Sequence, residues 1–100
     1  PVLVLAGFTG NTRTARLLVQ AGADVNAVDS AGNSALIAAS SFGHADLVDL
    51  LLFAGADPNL KNNAGQSALM RASLAGYQTI AEQLKAAGAV EDVAEEKPAE

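Results

Sequence analysis

The sequence predicts an all-α protein: a solenoid of stacked helix–turn–helix units joined by short hairpin-like turns. Three observations carry that prediction. The first is a period of 33 residues, on which Gly10, Gly43 and Gly76 fall, as do Ala6, Ala39 and Ala72, and Leu3, Leu36 and Leu69. The second is a composition that is half apolar but only 4% aromatic, so that the core must be built from alanine and leucine. Such residues favour helices that pack closely. The third is the recurrence of turn-forming Asp, Asn and Gly in "DVNAVDSAGN" and "DPNLKNNAGQ". Self-similarity at this period marks an array in which each unit buries its apolar face against its neighbours.

Aligning residues 29–61 with 62–94 gives twelve identities, and residues 1–28 match 34–61 at ten positions. The chain therefore divides into a partial unit over 1–28, a complete unit over 29–61 and a third over 62–90 that serves as terminal cap. Residues 91–100 read as an acidic, disordered tail. In each complete unit, Ser34 or Ser67 stands where an N-cap hydroxyl accepts a bond from a free helix-start N–H. A small-residue helix follows, "ALIAASSF" or "ALMRASLA", and stops at Gly43 or Gly76. The second helix carries Leu47, Val48, Leu51 and Leu52 at helical spacing. It closes at Gly55, with Gly22 and Gly88 at the same place in the other units, where a left-handed residue commonly ends a helix. In the third unit Gln83 and Lys85 replace Leu50 and Leu52, a polar exchange expected where a stack has no further neighbour. Residues after 93 are expected to be dispensable for stability.

The amino-terminal stretch "VLVLAGFTGNTRTARLLVQAGADV" admits a rival reading. An apolar run, a glycine turn, a helix and a second apolar run ending at Asp29 imitate a dinucleotide-binding strand–turn–helix–strand unit. In such a unit the glycines let the backbone approach a pyrophosphate seated on the helix amino end. Here the turn would be Gly7-Phe8-Thr9-Gly10-Asn11-Thr12-Arg13, with Arg13 in place of the third glycine. The period decides against it. Gly10 recurs at 43 and 76 with no strand-like run before it, and "ADVNAV" recurs as "ADPNLK". Pro58 would remove a ladder donor from a central strand, and Asp29 recurs as the turn residue Asn62.

Residues 1–90 resemble the ankyrin repeat family. The middle unit reads "GNSALIAASSFGHADLVDLLLFAGADPN", and its glycines, its Gly43-His44 pair and its GAD-x-N ending match the family pattern. The resemblance implies an ankyrin-type solenoid. The departures lie in the T-P-L-H tetrapeptide, which becomes Ser-Ala-Leu-Ile at 34–37 and Ser-Ala-Leu-Met at 67–70. Ile37 and Met70 thus lose the family histidine's backbone hydrogen bond, with some loss of local rigidity expected.

Little in the composition supports chemistry. The formal charge of −5 is concentrated in residues 91–100, which hold Glu91, Asp92, Glu95, Glu96 and Glu100 against Lys97. The other ninety residues are almost neutral and show none of the clustered Lys and Arg that nucleic acid requires. With no cysteine and one histidine, a convergent metal-ligand set is not expected. No apolar run reaches the length of about 18–20 residues needed to span a membrane. His44 reads as structural, since the family's histidine there ties the inter-helix turn. Asp46 and Asp49 read as a solvated helix face rather than an acid–base pair in a cleft. The serines have no base partner beyond that histidine. No cofactor is expected.

Binding is the function that remains. The resemblance places Phe8-Thr9, Ser41-Phe42 and Leu74-Ala75 at the ends of the first helices, facing a concave groove. The turn tips Val28, Ser30, Ala31 and Asn33, then Lys61, Asn63, Ala64 and Gln66, line the same side. Phe42, in the middle unit between Phe8 and Leu74, is the leading anchor, because aromatic side chains dominate binding energy. The expectation is a non-catalytic protein-binding module without nucleic-acid or membrane partners, cytoplasmic by default. The alternative is a regulatory or spacer segment of a larger enzyme whose catalytic domain lies upstream. The chain opens on Pro1 and stays apolar through Leu5. Upstream native sequence is expected to cover that face, or else a monomer that self-associates weakly through it.

Overall fold

A computed structural model describes residues 1–91; the expected disorder of the tail therefore concerns residues that, apart from Glu91, lie outside the described ones. Among the described residues six helices follow one another as three helix–turn–helix pairs. These are α1 (Val2–Thr9) with α2 (Thr12–Gln20), α3 (Ala35–Ser41) with α4 (Ala45–Phe53), and α5 (Ala68–Ala75) with α6 (Gln78–Ala86). The first helices stack on one another in the order α1, α3, α5, and the second helices in the order α2, α4, α6. The result is two helical layers.

Local chemistry starts α3 and α5 where the sequence places them. Ser34 Oγ accepts from Ile37 N at 3.2 Å, and Ser67 Oγ accepts from Met70 N at 3.1 Å. Each removes one of the unpaired donors of a helix start, worth about 1 kcal/mol. The run from Val2 is helical rather than extended, and α1 closes at Gly10, whose φ is 74°. The supposed second strand contains only one isolated bridge, between Val28 and Ser34, repeated between Lys61 and Ser67. These bridges are the bases of the hairpin-like turns.

The core runs continuously between the layers. Leu36, Ile37, Leu47, Val48, Leu51 and Leu84 are fully enclosed, with Ala15, Ala38, Ala39 and Ala72 between them. Alanine at the interhelical positions lets the helices approach closely, which is why so few aromatic residues suffice. Ile37, at the family's histidine position, is part of this core.

The terminal polar exchange divides in two. Lys85 points to solvent and pairs with Glu91 at 2.7 Å. Gln83 instead turns back onto the preceding unit, donating to Ala45 O at 3.2 Å and Asp49 Oδ1 at 2.9 Å. Its position faces the unit before it.

Candidate binding surface

Side-chain hydrogen bonds close the turn tips. Asp29 Oδ1 accepts from Ala31 N and Asn33 N, both at 2.9 Å. Asn62 Oδ1 repeats this with Ala64 N and Gln66 N, both at 3.0 Å. One side-chain oxygen thereby closes each turn by mimicking a backbone acceptor.

The two tips are also stitched together. Asn63 N donates to Ala31 O at 2.9 Å and Asn63 Nδ2 to Ser30 O at 3.0 Å. Asn62 Nδ2 donates to Asn33 Oδ1 at 2.9 Å. Asn33 and Asn63, expected as contacts for a partner, thus have side chains already engaged between repeats. Val28 and Lys61 occupy the same register one unit apart, and both are exposed.

The inner face is the side of the first-helix layer turned away from the second helices. The family resemblance assigns Phe8 and Phe42 to that side; their rings lie 5.6 Å apart between centroids, tilted by 58°. This is a favourable aromatic geometry worth about 0.5–1.5 kcal/mol. Phe8 is partly buried, whereas Phe42 keeps 53% of its surface exposed. The period places Phe8, Ser41 and Leu74 in one register and Thr9, Phe42 and Ala75 in the next. Phe42 is therefore not the repeat counterpart of Phe8 or Leu74. It stands one residue further along and closes on Phe8 across the α1–α3 interface. Leu74 is exposed.

Arg71, which the sequence reading did not select, joins two residues that it did. Its Nε donates to Ser41 Oγ at 3.1 Å and its Nη1 to Gln66 Oε1 at 3.3 Å. The only signal available in the sequence was a break in the repeat, since Leu5 and Ala38 occupy the same register.

A family model described as ankyrin repeats (3 copies) matches residues 3–94. The chain belongs to the ankyrin-repeat family. Comparison with curated proteins finds no match. Ankyrin repeats are generally protein–protein interaction modules and are typically non-catalytic.

The ankyrin GAD-x-N ending has a visible purpose in this chain. Asn26 Oδ1 accepts from Asp57 N at 2.8 Å, and Asn59 Oδ1 accepts from Val90 N at 2.9 Å. Each asparagine ties its loop to that of the next repeat. His44 acts in the opposite direction. Its Nε2 donates to Phe8 O at 3.3 Å, because a carbonyl can only accept. That bond satisfies an end carbonyl of α1, so the imidazole secures the preceding unit's turn rather than its own.

On the second-helix side, Phe53 is 96% exposed. It borders a shallow groove with Arg16, Val19 and Leu50. Among the described residues no three His, Cys, Asp or Glu side chains form a metal-sized group, and no helix is long and apolar enough to cross a membrane.

Proposed function

We propose that this ankyrin-repeat segment binds another protein, without catalysis, through its inner face and turn tips. The observation that carries the reading is Phe42. Its ring is anchored on Phe8 yet remains half exposed, at the C-cap of α3, whose residues up to Ser40 are all buried. A rigid aromatic surrounded by a closed scaffold is the usual form of a binding anchor. The lone imidazole is occupied with the Phe8 carbonyl, which supports a structural rather than a chemical role for it.

The test selects binders to the full chain from a displayed library of random peptides and measures each against Phe42→Ala. Truncating a central anchor removes about 2 kcal/mol or more of binding, roughly 30-fold. Because the ring is only half buried, folding should lose about 1–2 kcal/mol, including the ring pair. A loss of about 3–5 kcal/mol in folding would mark a core residue instead. Peptides whose affinity does not depend on Phe42 refute the reading.

A different observation supports self-association through the amino-terminal face. In the middle repeat, Ala35 and Ala38 are fully buried and Leu50 is partly buried. The same registers in the first repeat hold Val2 and Leu5, each 61% exposed, and Leu17, 59% exposed. Positions built for a repeat–repeat contact thus face outward, beside a depression lined by Val2, Leu5 and Thr9. A weak homotypic contact through them is expected to raise the sedimentation-average mass with concentration, and Leu17→Glu should abolish the rise. A concentration-independent monomer refutes it.

A further inference from the structure

Arg71 is a charged side chain of the first-helix layer that is held in a fixed pose by neutral partners among the described residues. Its repeat counterparts are Leu5 and Ala38, and Ala38 is completely buried. An arginine in that register cannot pack as alanine does. Its Nε reaches across to the neighbouring unit, where Ser41 Oγ accepts it, while Gln66 Oε1 of its own unit accepts from Nη1. Ser41 in turn donates its own hydroxyl to Ile37 O at 2.7 Å. The serine is therefore oriented as an acceptor for Arg71, and the guanidinium is held at both of those nitrogens.

Both partners are neutral. Among the described residues Arg71 meets no carboxylate, and Nη2 is left without a protein partner. Arginine remains charged under all ordinary conditions and matches planar carboxylates through parallel N–H bonds. A partly buried guanidinium that is oriented but uncompensated attracts an anion more strongly than a mobile surface charge does, because its ordering entropy has already been lost and its surroundings screen it less. It is also adjacent to the aromatic pair, since Ser41 immediately precedes Phe42. Departures from local regularity of this kind concentrate where a protein functions.

We propose that Arg71 is an anion-recognition residue of the inner face. The protein segment bound there then carries an acidic side chain next to the apolar side chain that covers Phe8 and Phe42. This rests on the inner-face reading above and specifies the partner's chemistry.

The experiment uses the Phe42-dependent peptides selected from the random library on the full chain. Asp or Glu should be enriched beside an aliphatic or aromatic residue. Replacing that acid by its amide should weaken binding about ten- to a hundredfold, the usual effect of losing a charge-assisted hydrogen bond. Arg71→Met should weaken the parent peptide by a similar factor and leave the amide peptide almost unaffected, since each change removes the same contact. Arg71→Lys should recover part of the affinity by restoring charge without the planar fork. Circular dichroism and thermal melting establish that each variant is folded. Phe42-dependent peptides that are neutral or basic, or whose affinity ignores Arg71→Met, overturn the inference while leaving the inner-face reading intact. A selection that returns no Phe42-dependent peptide overturns both.

Discussion

Gly32 and Gly65 occupy the same place in successive turn tips, but only Gly32 is covered by the next repeat, so they form a pair for measuring how one repeat supports the next. Both are left-handed, with φ of 82° and 76°. An alanine at either position carries a left-handed penalty of about 1–2 kcal/mol. Part of this is offset because alanine also restricts the unfolded chain, leaving a net loss of about 1 kcal/mol. At Gly65 nothing else happens, since no atom lies within 4 Å of an added Cβ. At Gly32 the Cβ would stand 2.5 Å from Asn63 Oδ1 and 2.8 Å from Asn63 N. The second of these is backbone, and no rotamer change relieves it. Asn63 must withdraw, giving up its bonds to Ala31 O and Ser30 O. At about 0.5–1.5 kcal/mol each, that adds about 1–3 kcal/mol. Gly32→Ala should therefore lose about 2–4 kcal/mol and Gly65→Ala about 1 kcal/mol. Urea unfolding followed by far-ultraviolet circular dichroism reads both, and each further kcal/mol should lower the melting temperature by about 4–8 °C. Equal losses in the two variants would refute the claim that the tips support one another.

Three further outcomes follow from the same contacts. Gln83→Leu restores the residue type of Leu17 and Leu50 and removes a buried Oε1 that has no partner; the unfolding free energy from urea titration should hold or rise, by up to about 1 kcal/mol, and a loss larger than that would show that its bonds to Ala45 and Asp49 dominate. Asn62→Asp keeps the oxygen that closes the second tip, as Asp29 does in the first, but removes the donor to Asn33; thermal melting should show a loss of about 1 kcal/mol, and no change would mean that this bond contributes nothing net. Phe53→Ser alters a side chain that is almost wholly in water, so stability should move by no more than about 0.5 kcal/mol; a larger loss in urea unfolding would place the ring in a contact.

Much of the architecture was legible because it is local or periodic. Ser34 and Ser67 cap the helices that follow them, Gly10 and Gly76 end first helices in the left-handed region, and Asp29 and Asn62 close turns. Each is determined within four residues of chain. The core positions were legible for the same reason, since helical spacing within one unit decides which side chains face inward.

The site was less legible. Phe42 was selected as an anchor, but its pairing with Phe8 is a contact across the repeat interface from a register one residue removed from that of Phe8. The sequence cannot specify it, because the period aligns Phe8 with Ser41. Asn33, Asn63 and Gln66 are expected from the sequence as partner contacts on the turn tips, and their side chains are engaged between or within units. Arg71 was passed over as one letter in a helix and proved to join the tip to the inner face.

The amino-acid sequence by itself determines the repeat, the helices, their caps and the apolar faces that must be buried, because each depends on neighbours within one turn of helix or on the 33-residue period. Only the tertiary structure decides which side of each helix meets the unit before it. That assignment turns Gln83 inward and brings Arg71 to Ser41 thirty residues away. The physical reason is that stacking sets the offset between units, and long side chains reach across that offset to partners that no local pattern encodes.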